Sequence, residues 1–287
     1  MKPYITLFIG VLSVSFAATL IRLADAPPLV IATYRLAIAS IILIPIAGLK
    51  YRKSFPKLSR RDILLILLSS VFLALHFGLW ITSLSYTSIA SSVVLVTAHP
   101  AFVAIISYFL WGEKLNRLTI GGIAVAFIGV IFINYSGLSF GSENVLGDVL
   151  ALIAGFVMGA YLIVGRQLRA RIDILGYITI LYTCSAVMLL IVTLLSGHSL
   201  FGYSSTTYIM LILLALVPQL IGHTSFNLAV RLIPVTFVSV SILGEPIGAT
   251  LLGSIILGEI PTINEILGGL LILGGIFLVL REKPRIG

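Results

Sequence analysis

Arg35 and Glu245 are ionisable residues set inside long apolar runs, and five other polar or aromatic positions share that setting: His76 with Trp80, His99, and His223 with Asn227. A charge at the centre of a lipid bilayer costs about 2.5 to 3.5 kcal/mol even on the mild insertion scale, so a charge kept there is expected to face a partner or water. Arg35 is therefore a candidate receptor for a substrate carboxylate, against the alternatives of a structural ion pair or snorkelling to the outer interface. Glu245 is a candidate for exchanging a proton or holding a cation, against a fixed ion pair with Arg35. His76 and Trp80 are four residues apart, as are His223 and Asn227, so each pair shares one helix face. Counting along the runs puts His76 in the outer half of the membrane and His223 in the inner half. Such pairs could line a pathway from both sides, with Trp80 and Phe226 as walls. The competing reading for each histidine is an interhelical hydrogen bond.

The elements that must position these groups follow from composition. Of 287 residues, 59% are hydrophobic and 10% charged, with a mean hydropathy of +1.18. That much apolar side chain requires lipid as solvent, and a backbone in lipid must form helices or a closed barrel. Apolar runs of about 20 residues select helices. Ten spans result: 4 to 22, 29 to 48, 63 to 85, 88 to 111, 118 to 136, 147 to 166, 174 to 196, 207 to 230, 233 to 257 and 263 to 281. Arg35 lies roughly 10 Å deep in the second, at 1.5 Å per residue, and Glu245 at the midpoint of the ninth.

The formal net charge of +8 does not point to a nucleic-acid partner, because the basic residues lie in short loops between the apolar runs. With a cytoplasmic N-terminus, all 18 except Arg22 and Arg35 fall on the cytoplasmic side. The positive-inside rule then puts both termini in the cytoplasm. A competing reading treats residues 1 to 26 as a cleaved signal peptide, since Ala24-Asp25-Ala26 resembles a cleavage site. The single Cys184 excludes an intrachain disulfide.

A pattern recurs along the chain. Pro100 followed by Gly112-Glu113 matches Pro246 followed by Gly258-Glu259 at one fixed offset, and Gly121-Gly122 meets Gly268-Gly269 one residue further on. The repeats are residues 1 to 140 and 145 to 287, with five helices each. An odd number of helices inverts the second copy, and loop charges agree. The loop from Lys50 to Arg61 is basic where its counterpart, Gly197 to Thr206, has no basic residue; Arg166, Arg169 and Arg171 have only Arg22 opposite them. Pro100, Gly244, Pro246 and Gly248 are the expected break or hinge positions, since proline removes a donor and glycine permits bending. Paired breaks in corresponding helices point to a midplane binding site. The scaffold is symmetric but its chemistry need not be, because Pro100 follows His99 whereas Pro246 follows Glu245.

Together with Arg35, the stretch His76 to Trp80, His99-Pro100, Glu113, Gly222 to Asn227, Glu245-Pro246 and the paired glycines, these features resemble the drug/metabolite transporter superfamily, specifically its EamA-type proteins. The resemblance spans essentially the whole chain. It implies an all-α integral membrane protein with ten transmembrane helices in two inverted five-helix repeats, multi-pass in the cell (plasma or inner) membrane. Similar proteins export amino acids, drugs and other metabolites, and often carry Arg at the place of Arg35 whatever they transport, which favours a scaffold or gate role.

Other signals are weaker. Glu113 and Glu259 are read as caps or interfacial charges and Trp111 as an interfacial anchor. Gly155 and Gly159 form G-x-x-x-G, a close-packing signal within or between protomers that leaves a homodimer open. No phosphate loop, G-x-S-x-G or H-E-x-x-H occurs, so ATP-driven pumping, hydrolysis and a zinc site are disfavoured, and no cofactor is called for. The expected function is that of a secondary carrier of a small polar or amphipathic metabolite such as an amino acid, working by alternating access in contact with membrane lipid and with protons as a candidate coupling ion. A multidrug exporter, a nucleotide-sugar or lipid-linked carrier, and a membrane-embedded enzyme are the alternatives.

Overall fold

The structure is a computed structural model describing residues 3–52, 58–87, 92, 95–97, 99–112, 116–134, 142–169, 172–257 and 263–281. Among these residues the regular elements are all helical: α1 (Pro3–Leu23), α2 (Pro28–Lys50), α3 (Arg60–Ser83), α4 (His99–Trp111), α5 (Arg117–Asn134), α6 (Ser142–Arg169), α7 (Ile174–Leu195), α8 (Ser205–Leu214), α9 (Thr224–Leu232), α10 (Val235–Ile242), α11 (Glu245–Leu257) and α12 (Ile263–Leu280). Six described helices are long and apolar enough to cross a membrane, one of them the continuous stretch Ser205–Leu232, and shorter apolar helices accompany them. Glu113, Gly258 and Glu259, and the loop residues Lys53, Lys57, Lys114 and Arg171, lie outside the described residues, as does most of 88–98.

Local chemistry sets the ends. Pro28 opens α2, where its missing N–H is no loss. Ser59 and Asp62 form a capping box on α3, and Ser204 caps α8 by accepting from the Thr207 N–H. Gly112 takes a φ of 64° just past α4 and donates to the Tyr108 carbonyl at 2.9 Å, a left-handed cap that glycine adopts without strain.

The outer surface is apolar: Leu195, Phe109 and Ile255 are 83%, 78% and 79% exposed. Water would not tolerate that surface, and lipid does. Inside, α3 packs on α6, α2 on α7, α5 on α12, and α1 on the stretch after α8 and on α11. The contacting residues run in opposite directions along the partners. Gly122 meets Gly275 and Gly129 meets Gly268 between α5 and α12; Thr33 meets Thr193 and Tyr51 meets Asp173 between α2 and α7. A Cβ at Gly129 would come within 2.5 Å of the Gly268 carbonyl oxygen, so these two backbones touch.

Three irregularities converge on the centre. Between α8 and α9 the chain winds as a π-helix over Ala215–His223, with Pro218 inside it. Between α10 and α11 it turns at Leu243 and Gly244, closed by short bonds from the Leu243 N–H to the Val240 carbonyl and from the Gly244 N–H to the Ser241 carbonyl, 3.0 Å each. α4 begins only at His99. Pro100 and Pro246 thus occupy the first turns of α4 and α11, where proline removes no helical hydrogen bond, rather than kinking a continuous helix.

Candidate functional site

The irregular segments enclose a cavity lined by Arg35, His76, Trp80, His99, His223 and Glu245, with Val14, Ala17, Val96, Met158 and Ile242 among its apolar walls. Its volume is about 40 Å³, room for a few water molecules. The packing of α1, α2, α3, α4, α11 and the π-helical stretch thus brings six of the seven pathway residues expected from the sequence around one space.

Arg35 is 1% exposed, which excludes snorkelling. Its Nε–H donates to Gln219 Oε1 at 2.9 Å, and its guanidinium carbon lies 4.1 Å from the centre of the Phe77 ring. A flat cation over an aromatic face is held by the ring's negative quadrupole. These two contacts fix the guanidinium and leave Nη1 without a hydrogen-bond partner among the described residues. Trp80 Nε1, another buried donor on the same cavity, is also unpartnered. Unmet buried donors are costly unless something else accepts from them.

Glu245 faces the cavity from the first turn of α11. It forms no ion pair with Arg35 among the described contacts, so the fixed salt bridge weighed as an alternative is not formed. Its backbone is instead tied to α1: the Ser15 hydroxyl donates to the carbonyl of Val11 at 2.8 Å and lies 3.4 Å from that of Glu245. A Cβ at Gly248 would collide with Ser15 Oγ, so glycine is what allows this approach.

His76 Nδ1 lies 3.1 Å from the Ala154 carbonyl, a pairing in which the nitrogen must donate. In the neutral ring this leaves Nε2 as an acceptor. The ring stacks on Trp80 at 6.1 Å and 9°, as i, i+4 neighbours on one helix face do. The rings of His76 and His223, expected from sequence depth in the outer and inner halves of the membrane, lie 6.4 Å apart. His99 Nδ1 meets the Val96 carbonyl at 3.2 Å, within its own segment.

Asn227 is the exception, because it does not line the cavity. It accepts from the Tyr161 hydroxyl at 2.6 Å and donates to the Tyr182 hydroxyl at 3.4 Å, which makes it a buried bridge between α6, α7 and α9. Sequence reading missed Gln219, Tyr161 and Tyr182; an amide in the apolar run after α8 was the available signal. Gly155 and Gly159 pack against α4 and the residues before it within the protomer. Trp111 stacks under Arg166 at 4.1 Å. Among the described residues no three metal-ligating side chains gather.

A second space of about 270 Å³, lined by Ala18, Ile21, Arg22, Ile81 and Ser85, lies beside the first along α1 and α3. Away from the cavity, Asp173 caps α7 by accepting from the Leu175 N–H and receives hydrogen bonds from Lys50 and the Tyr51 hydroxyl. Burial alone would raise its pKa, but the hydrogen bonds from Lys50 and Tyr51 prevail and hold it down to about 2.

This architecture has known relatives. One solved structure, described only as a crystal structure of protein, matches with a TM-score of 0.81 over 96% of this chain and 98% of its own at 18% identity, a likeness of fold. Curated relatives include an uncharacterized transporter of Archaeoglobus fulgidus, 24% identical over 94% of each chain. The uncharacterized transporters YetK and YoaV of Bacillus subtilis are 26% and 24% identical, covering 88% and 96% of this chain and 78% and 96% of their own. The EamA-like transporter family matches twice, at residues 1–135 and 145–281. The chain therefore belongs to the EamA-like transporter family and is a multi-pass membrane transporter rather than an enzyme.

Proposed function

We propose that the protein is a secondary carrier of a small zwitterionic solute such as an amino acid, moved by alternating access, with Arg35 receiving the carboxylate and Glu245 the ammonium group. One observation carries this reading: a buried cation and a carboxylate line one cavity without pairing with each other. Opposite charges in a low-dielectric site attract strongly. Holding them apart leaves each available to a ligand that bears both signs. The unpartnered Arg35 Nη1 and Trp80 Nε1 supply donors for the carboxylate. A single buried arginine and little room weigh against a nucleotide sugar.

The proposed frame is ten helices in two inverted halves, residues 1 to 140 and 145 to 287, with both termini cytoplasmic. The double family match supports it. So does the packing, since exchanging the halves turns α1 on the π-helical stretch into α6 on α3 and leaves α2 on α7 and α5 on α12 unchanged. Partners related by such an exchange yet antiparallel are the pattern that an axis in the membrane plane would give. The space beside Arg22 is a candidate route from the cavity to one membrane face.

Counterflow in liposomes with a panel of labelled metabolites tests the reading. Exchange of at least one zwitterionic solute is expected; folded protein that exchanges no solute would remove the carrier assignment. Transport by Glu245→Gln across a pH series tests proton coupling, and a profile identical to wild type would assign the driving force elsewhere.

A further inference from the structure

The two charges in the cavity should collapse onto each other. They belong to one small, largely apolar space, and among the described residues no hydrogen bond or ion pair holds the Glu245 carboxylate. What holds them apart lies on the arginine side. Gln219 is fully buried, its Oε1 accepts from Arg35 Nε at 2.9 Å, and Phe77 carries the guanidinium plane from below. Gln219 is delivered by the π-helical stretch, an uncommon winding that recurs at functional sites. Its amide nitrogen has no hydrogen-bond partner among the described residues.

We infer that Gln219 is a neutral tether that positions the Arg35 guanidinium away from Glu245 and thereby sets the preference of the site for solutes carrying both a carboxylate and an ammonium group. Neutrality is essential to the device. A glutamate here would pair with Arg35 and compete with a substrate carboxylate. An apolar side chain of the same shape would release the guanidinium to pair with Glu245, closing the site from within. Gln219 touches Arg35 and no cavity space, so it is a positioning residue. The inference rests on the zwitterion reading above.

The test uses the full-length protein in liposomes. Trp80 lines the cavity and Trp111 is the other of two tryptophans, so a Trp111→Phe background reports the cavity by Trp80 emission. The probes are L-leucine, L-leucinamide, which lacks the carboxylate, and 4-methylpentanoate, which lacks the amine. Wild type should bind leucine more tightly than either analogue. In Gln219→Met the half-saturation of leucine should rise about tenfold while those of the analogues move less. In Gln219→Glu, which keeps the side-chain shape, 4-methylpentanoate binding should be lost and leucinamide binding retained. Leucine keeping its full advantage in both folded variants would overturn the inference.

A solute-free measurement separates the two levels. The Arg35 Nε–H signal, identified by its loss in Arg35→Lys, should be protected from hydrogen exchange in wild type and exchange at least about tenfold faster in Gln219→Met. Equal exchange rates would refute the tether directly. Protection that depends on Gln219, with no response to any probe, would uphold the tether and reject the amino-acid reading.

Discussion

The break at His99-Pro100 and the break at Glu245-Pro246 stand at corresponding places in the two sequence repeats, but they are finished in different ways. The first is anchored locally: His99 Nδ1 bonds the Val96 carbonyl, and Gly155 of α6 admits the backbone there, where a Cβ would come within 2.7 Å of the Val96 oxygen, while the neutral ring lines the cavity with Nε2 lacking a described partner. The second is braced from behind by Ser15 of α1 against Gly248, while its carboxylate looks into the cavity without a described partner. The same backbone device therefore brings a neutral, locally anchored ring to the cavity in one repeat and a carboxylate without a described hydrogen bond in the other.

Substitutions should separate these roles. Glu245→Gln removes the presented charge and should lower transport efficiency roughly a hundredfold, the scale of losing one partner of a desolvated charge pair; counterflow rates in liposomes measure it. His99→Gln, at the matching place, should cost about threefold or less, because its contact is local and neutral. Equal losses at the two sites would erase the functional distinction.

Gly248→Ala and Gly155→Ala should each destabilise by about 1–3 kcal/mol through overpacking, read by thermal unfolding in detergent. They should differ in repair. Ser15→Gly should restore much of Gly248→Ala, since the clash there is with a side chain, whereas Gly155→Ala meets carbonyl oxygens that no neighbouring side-chain change can move.

The smallest effect should come from the contact remote from both breaks. Asp173→Asn removes the link to Lys50, whose partners are 37% and 48% exposed, and should lower Tm by about 1–2 °C. The Asp173 pKa is lower in the fold than its ordinary value of 3.8, so its contribution is complete above that value and is lost as pH falls toward about 2. Tm differences between wild type and Asp173→Asn should therefore stay constant from about pH 5 to pH 8. A pH-dependent difference in that window would assign the contact to another group.

Much of the site was legible because charge inside an apolar run is conspicuous. Arg35 and Glu245 needed no alignment to be noticed, and their cost in lipid implied a common interior. Their partners were not legible. Gln219 stands out only as an amide in an apolar run and Phe77 not at all, and only the rotation of one helix against another decides that they meet Arg35. Asn227 shows the opposite error: its spacing from His223 suggested a shared face, but its amide turns to Tyr161 and Tyr182. The π-helical winding of Ala215–His223 also escaped the sequence, because periodicity assumes a uniform turn.

The sequence by itself determined the solvent, the helical class and the two proline breaks, since those follow from transfer free energies and from the missing proline N–H, which act residue by residue. The tertiary structure decided which breaks face each other, that Arg35 is held by Gln219 rather than by Glu245, and that Arg35, His76, Trp80, His99, His223 and Glu245 share one cavity. These depend on helix rotation and on approaches of a few ångströms between segments far apart in the chain, quantities that no local pattern contains.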